Sequence, residues 1–377
     1  MEIEKSMYFK EYGNTGIKVS AIGFGAMRFD EDDVKERRLE KCADLVLYAR
    51  DKGINYWDTA PYYCEDKSEE IVGIAVKQVK REEIYLSTKT NFGTVGEKHN
   101  RDSFRKRLET SLNRLQTDYI DFYHLWCLLN LESYEKHMEE LYQFFEEARL
   151  EGLIRHIVFS SHMEGNAIEK VIESGKFEGM LIGYNPLNHR FRQSGIRSAY
   201  EKGMGVVAMN PVGGGLIPGN PEMFSYLAER TDLSVAQAAL RFVASHKEIT
   251  IALNGFTTKE HVDEAVKAIE NLEEKPAEEV IAGVSEGVSL NNLCTGCGYC
   301  RVCPVDILIP EYMDAYNMKL LTGREQKCLD RLKWQWGIKK EGAGKCIACK
   351  KCEEACTQHL PIIERLDEIA KMVEDAS

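Results

Sequence analysis

The 377-residue sequence predicts an α/β protein in which a (β/α)8 TIM barrel over residues 1–275 precedes a small, mainly α-helical domain over residues 276–377. Eight short apolar runs alternate with longer amphipathic segments through the first part. Eight of the twelve cysteines crowd into two groups in the second. The acidic stretch "NLEEKPAEEV", residues 271–280, is the natural boundary between them.

The strand-like runs are, in order, "SAIGFGA", "INYWDTA", "EIYLSTK", "YIDFYHLW", "IRHIVFSS", "GMLIGYN", "GVVAMNP" and "ITIALNG". Their apolar, β-branched character suits parallel strands covered on both faces. Segments such as "SFRKRLETSLNRL" (103–115) and "MEELYQFFEEARLEG" (138–152) lie between them and carry apolar residues at helical spacing. A doubly wound open sheet is the alternative, but its G-x-G-x-x-G turn after the first strand is absent.

A formal net charge of -12 argues against a nucleic-acid partner, which needs a basic surface. No apolar run reaches the length of a membrane span, and "MEIEKSMYFKEYG" lacks a signal-peptide core, so the cytoplasm is the expected compartment. There, cysteines are metal ligands or free thiols rather than disulfides.

Barrel chemistry sits where strands end. The second run ends in Asp58, with Tyr63 close behind in "DTAPYYCEDKSEE", and the third ends in Lys89. A buried ammonium beside a phenol lowers its pKa, a carboxylate holds the ammonium, and the tyrosine can protonate a carbonyl oxygen as hydride arrives. Any one of the three alone would be read as structural; their convergence on one mouth is the signal.

The stretches "YGNTGIKVSAIGFGAMR", "DTAPYY" with "SEEIVG", "LSTKT", "SLNRLQTDYIDFY", "GLIRHIVFSSH" and "YNPLNHR" together resemble the aldo/keto reductase family across the first three quarters of the chain. The resemblance implies a barrel that reduces aldehydes or ketones of small molecules with NAD(P)H, without metal. Asp58, Tyr63 and Lys89 match three of the family's four catalytic positions. The fourth, a histidine, is here Trp126, and His124 lies two residues earlier on the same strand face. His124 is the candidate to orient the carbonyl; the alternative is a hydrogen-bonded histidine of the barrel interior.

The coenzyme positions implied by the resemblance also depart from the family pattern. Ser160 and Ser161 fall where the nicotinamide amide is held, but Leu181 stands for the usual glutamine and Met209 for a stacking aromatic. In "NPVGGGL", Asn210, Gly213, Gly214 and Gly215 suit a pyrophosphate, since successive glycines let backbone N–H groups approach oxygen. In "NGFTTKEHVDEA", Thr257, Thr258 and His261 correspond to the adenosine-phosphate clamp, with Gly255 in place of its lysine and His261 in place of its arginine. NAD against NADP is therefore open.

Cys294, Cys297, Cys300 and Cys303 precede Pro304, and Cys346, Cys349, Cys352 and Cys356 follow the spacing C-x2-C-x2-C-x3-C. Bacterial cluster motifs place three such cysteines on one [4Fe–4S] cluster and the fourth on its neighbour. Two clusters are expected, one on Cys294, Cys297, Cys300 and Cys356, the other on Cys346, Cys349, Cys352 and Cys303. Zinc is the alternative. The first group has x2 where x3 is usual, and Thr357 follows Cys356 where proline is common. The helical intervening segment resembles the α-helical ferredoxin module of iron–sulfur subunits such as those of fumarate reductases. Cys42 and Cys328 read as packing residues, while Cys64 and Cys127 lie near the barrel mouth.

Residues 324–351 carry Arg324, Lys327, Arg331, Lys333, Lys339, Lys340, Lys345, Lys350 and Lys351 against Glu325, Asp330 and Glu341. This is a candidate docking face for an acidic electron carrier, ferredoxin or flavodoxin, with Trp334 and Trp336 at the contact; a solvated helix face is the alternative. Three functions stay open: a hydride-transferring reductase with structural or sensing clusters, a ferredoxin-dependent one-electron reductase, and an electron-transfer subunit with a vestigial barrel. The retained Asp58, Tyr63 and Lys89 speak against the last, and the resemblance favours the first. No charged clamp in "CLLNLESYEKHMEE" indicates the substrate.

Overall fold

A computed structural model describes residues 7–90, 101–128, 131–229, 231–282, 292–294 and 296–375. Its chain divides into two compact units, Met1–Val212 with Ile217–Ser285, and Gly213–Leu216 with Glu286–Ser377.

In the first unit, a hairpin of β1 (Phe9–Glu11) and β2 (Lys18–Ser20) is followed by eight parallel strands. These are β3 (Ile22–Gly25), β4 (Tyr56–Asp58), β5 (Tyr85–Thr90), β6 (Ile120–Leu128), β7 (Ile154–Ser161), β8 (Gly179–Gly183), β9 (Gly205–Met209) and β10 (Ile251–Gly255). They close into a barrel in chain order, with β10 pairing β3. Each of the eight runs read from the sequence is one of these strands. The outer helices are α1 (Leu39–Asp51), α2 (Ser68–Val76), α3 (Arg101–Leu115), α4 (Leu131–Leu150), α5 (Gly165–Glu173), α6 (His189–Glu201), α7 (Val235–Ser245) and α8 (Lys259–Ala268).

Strand alternation separates two apolar layers. Inward residues Tyr56, Phe122, Val158, Leu181, Val207 and Ile251 form the barrel interior. Outward ones such as Trp57, Tyr123 and Phe159 pack with the helices. The hairpin adds Tyr12 to the interior, its ring 4.3 Å from that of Phe122. Gly179 and Gly205 are glycine because a Cβ on either would stand within 2.3 Å of the Tyr12 side chain. The Lys10 ammonium donates to the carbonyls of Ala244, His246 and Ile249 at 2.7–2.9 Å, tying the hairpin to the end of α7. The unit continues past residue 275: Lys275 N–H donates to Ser245 and Ala277 N–H to Glu248, ahead of a short helix Ala277–Ala282.

In the second unit, α9 (Ile309–Thr322) and α10 (Ile362–Asp375) are the principal helices. Ile309, Tyr312, Met313 and Tyr316 pack with Ile362, Leu366 and Ile369 in a core of its own, joined by Cys300, Cys328, Cys352 and Cys356. A helical segment and not a hairpin therefore links the two cysteine groups, as the intervening sequence implied.

Candidate active site and cysteine module

The strand register assembles the barrel site. Asp58 ends β4 opposite Ser87, and Lys89 lies two residues further along β5 on the same face, opposite His124. The Lys89 ammonium, 1% exposed, is 2.6 Å from Asp58 Oδ2 and donates to Thr59 O at 2.7 Å. Burial lowers the Lys89 pKa, and the Asp58 carboxylate opposes that fall. Ser87 Oγ donates to Asp58 Oδ1 at 2.7 Å and lies 2.9 Å from His124 Nε2. With the serine proton given to Asp58, Nε2 is the donor of that second bond.

His124 is thus engaged below the ion pair. It is fully buried, and burial and Lys89 hold its pKa well below the imidazole range, opposed by a hydrogen bond to the Phe159 backbone. Trp126 stands nearer the rim, edge-on to Tyr63 with ring centroids 5.7 Å apart and stacked on exposed Tyr62 at 6.2 Å. The register break between Leu125 and Leu128, with Cys127 at φ 62°, sets it there.

Tyr63 lies on the loop after β4, its ring centroid 5.3 Å from Lys89 Nζ. The sequence argument expected the ammonium to lower the phenol pKa. Instead burial raises it well above 10, Asp58 adds to the rise, and the main opposing charge is that of Arg28. The phenol holds its proton. Around it Tyr62, Cys64, Glu65 and Asp66 all have φ between 52° and 70°, a left-handed run that strains non-glycine residues. A clamp outside the loop holds this shape. Arg114 of α3 donates to both oxygens of Asp66 at 2.7 Å, and Asp66 accepts the Tyr62 N–H at 3.2 Å.

The coenzyme candidates are more dispersed. Ser161 is fully buried, its hydroxyl donating to Leu128 O and accepting from Met163 N–H, so it is occupied inside the fold. Ser160 Oγ accepts the Cys127 N–H at 2.8 Å. Leu181 is part of the barrel interior, and Met209 is half-buried at the end of β9. Asn210, at φ 58°, has its carbonyl bonded by Asn185 Nδ2. Gly213, Gly214 and Gly215 are consecutive left-handed residues. Thr258 accepts the His261 N–H as the cap of α8, His261 Nδ1 accepts the Thr257 N–H, and Thr257 Oγ1 donates to Arg28 O at 2.9 Å.

Sequence reasoning missed Arg28. A Cβ on Gly255 would lie 2.7 Å from Arg28 Cγ, so the arginine stem occupies the space that a side chain at 255 would need. It missed Ser87 as well, although period-2 alternation puts Ser87 on the face of Lys89.

The two cysteine groups share one backbone pattern. Gly296 and Ala348, each two residues after a group's first cysteine, are left-handed, as are Gly298 and Lys350, each one residue after the second. Asp306 and His359, three residues after the fourth cysteines, are left-handed too, and each donates its N–H to that cysteine's carbonyl. The module is an internal repeat. Ala348 and Lys350 adopt a left-handed conformation in which glycine serves the first copy.

Cys294, Cys297, Cys300 and Cys356 lie in one neighbourhood. Burial raises the Cys294 thiol to about 12, with Cys297 and Cys356 adding to it, and burial with Cys294, Cys297 and Cys356 also raises Cys300. Asn317 holds Cys294 through both its N–H and carbonyl at 2.8 Å, and the Gly296 and Leu360 N–H groups donate to Cys294 and Cys356 sulfur at 3.4 Å. Arg365, 3% exposed, feels the charge of Cys294 and Cys356, and its Nη1 is buried without a partner. A buried cationic donor beside four thiols fits an anionic, thiolate-ligated cluster. Cys346 and Cys352 interact as neighbours, and Cys303 packs against the same core. Among the described residues no three Cys, His, Asp or Glu side chains converge on a single metal ion. Cys42 and Cys328 are buried packing residues, and Cys64 is half-buried with its thiol raised to about 11 by burial.

The predicted basic face is narrower than its sequence suggested. Arg331 donates to Asp314 at 2.9 Å, as does Trp336 Nε1 at 2.8 Å, so both are tied to α9. The Trp334 side chain lies outside the described residues.

Comparison with known proteins gives the family. Residues 21–282 match the aldo/keto reductase family and residues 293–361 a 4Fe-4S dicluster domain. L-galactose dehydrogenase of Arabidopsis thaliana is 27% identical over 299 residues, 69% of this chain and 88% of that protein. The NADH-specific methylglyoxal reductase of Escherichia coli is 25% identical over 68% of this chain and 92% of its own. The holo form of an aldo-keto reductase from Bacillus halodurans superposes with a TM-score of 0.61 at 28% identity, over 75% of this chain and 98% of that one. An oxidoreductase barrel with an ion-paired lysine and a protonated tyrosine at its mouth, matched by the family over residues 21–282, makes this chain a member of the aldo/keto reductase family.

Proposed function

We propose that the barrel reduces the carbonyl of a small molecule, or oxidises the corresponding alcohol, with NAD(P)H. The observation that carries this reading is the Asp58–Lys89 ion pair beside a phenol that keeps its proton. The coenzyme, when bound, supplies the hydride. Tyr63 donates its proton to the carbonyl oxygen, and Lys89 supplies the positive charge that the departing proton leaves wanting. Ser87, Thr59 and Asp58 fix the ammonium, and Arg114 fixes the tyrosine loop. His124 acts through Ser87 as a positioning residue. Trp126, Tyr62 and Tyr63 give the mouth an aromatic wall that favours a flat or apolar carbonyl compound. Arg28, with Thr257 and Asn210, would hold the phosphate-bearing part of the coenzyme, and Ser160 the amide end.

In the second unit, the residues that would hold two [4Fe–4S] clusters are Cys294, Cys297, Cys300 and Cys356, and, by the internal repeat, Cys346, Cys349, Cys352 and Cys303. Twelve unpaired cysteines suit a reducing, cytoplasmic setting.

The test is turnover of small aldehydes and ketones with NADH and NADPH, in wild type and Tyr63→Phe. Tyr63→Phe is expected to lose 100-fold or more of kcat, on the order of a general acid's contribution, with cluster absorbance intact. Retained activity removes the proposed acid. A second reading, one-electron reduction fed by a ferredoxin, is favoured by one observation: Ser161 is consumed internally and Leu181 is apolar where the amide end of a nicotinamide would be gripped.

A further inference from the structure

The two cysteine sets differ in how they can be reached. The set around Cys294 is backed by Arg365 and Asn317 and packed into the module core. The loop Cys346–Cys352 is turned outward: Cys349 is exposed and Ile347 is 60% exposed. Lys339, Lys340, Lys345, Lys350 and Lys351 surround that loop in sequence, against Glu341 before it and Glu353 and Glu354 after it.

Their charges are left over. Elsewhere in the unit Lys319 pairs with Glu325 and Glu368, Lys371 with Asp367, Arg331 with Asp314 and Arg301 with Glu311. Among the described residues none of the five loop lysines enters an ion pair, and four of them, Lys339, Lys345, Lys350 and Lys351, are exposed. Exposed lysines thus gather around one loop of an otherwise acidic protein. A basic rim of that kind raises encounter rates with a negatively charged partner, and an apolar residue at its centre gives the contact something to desolvate.

We propose that the loop Lys345–Lys351, with Lys339 and Lys340, docks an acidic one-electron carrier protein of the ferredoxin class, with Ile347 at the centre of the contact. The proposal rests on the cluster-binding reading above. One electron leaves the reduced carrier for the iron held by this loop's cysteines; no bond is made or broken and no proton moves.

The experiment uses the full-length, iron-loaded protein and reduced plant-type ferredoxin under anaerobic stopped flow. The triple variant Lys345→Glu/Lys350→Asn/Lys351→Glu is compared with wild type; asparagine keeps the left-handed backbone at 350 available. Wild type should be reduced at a rate that falls steeply with added salt, and the variant on the order of tenfold or more slowly at low salt. Iron content and reduction by dithionite should be equal in the two. Equal ferredoxin rates, or a salt-independent wild-type rate, overturn the docking site. Anisotropy of labelled oxidised ferredoxin against the same two proteins, and against Ile347→Ser, reads docking without electron transfer. Protein that binds ferredoxin through these lysines but holds no iron defeats the cluster reading and keeps the docking site; iron-loaded protein with no lysine-dependent binding does the reverse.

Discussion

Replacing Asp58 by asparagine removes one charge and keeps the side chain's shape. The Lys89 ammonium then loses its paired carboxylate and keeps Thr59 O, in a site 1% exposed. At 2.6 Å and an effective dielectric near 20, the lost attraction is about 6 kcal/mol before solvation is counted. Breaking one partner out of a buried pair costs about 3–5 kcal/mol in practice. The protein can escape that cost by shedding the Lys89 proton. Losing the carboxylate removes what opposes burial, so the Lys89 pKa falls further than burial alone already takes it. Once that proton is shed, Tyr63 has no cationic neighbour near neutral pH. Asp58→Asn should therefore unfold at lower urea and show kcat at least 100-fold down, with activity recovering as pH is lowered and the amine recharges. The double variant Asp58→Leu/Lys89→Met should return most of the stability and none of the activity. Additive stability losses in that cycle, or an Asp58→Asn rate within twofold of wild type, would refute the coupling.

Three further predictions concern His246, Arg365 and Arg28. His246 lies against Lys10, Tyr184, Glu248 and His189, and burial with Lys10 holds its pKa near 3. Below about pH 6.5 the unfolded chain takes up a proton that the native one refuses, so stability falls by up to about 1.4 kcal/mol per pH unit down to pH 3; His246→Phe should flatten the Tm against pH slope over pH 6 to 4. Arg365→Gln removes a buried positive charge beside Cys294 and Cys356, and potentiometric titration should show one cluster lowered on the order of 50 mV or more with the other unmoved. Arg28→Ala should raise KM for NADPH more than for the carbonyl compound, since the stem that fills the space at Gly255 carries the cation left at that edge; equal changes in both KM values would place Arg28 outside the coenzyme site.

The barrel was legible because its eight strands are apolar, short and evenly interrupted, and parallel burial leaves no polar face to obscure the period. Asp58, Tyr63 and Lys89 were legible because each ends a strand or follows one. Other features come from side-chain reach across elements, which sequence spacing does not encode. Arg114 is 48 residues from the Asp66 it clamps, and Arg28 meets Gly255 only because β3 and β10 close the barrel. The direction of the Tyr63 pKa was misjudged because burial outweighs a neighbouring charge at that depth. In the second unit the cysteine spacing announced the module, yet its repeat lies in backbone conformation: Gly296 and Gly298 correspond to Ala348 and Lys350, which share no chemistry.

The central claim is that the barrel still handles hydride while the cysteine module holds iron. Anaerobic titration of the iron-loaded protein with NADH and then NADPH, following nicotinamide absorbance and the visible cluster band together, tests it most directly. The account predicts saturable binding of at least one coenzyme, and its oxidation only once a carbonyl compound is added. Absence of any nicotinamide binding, with substrate turnover supported by reduced ferredoxin alone, would contradict it.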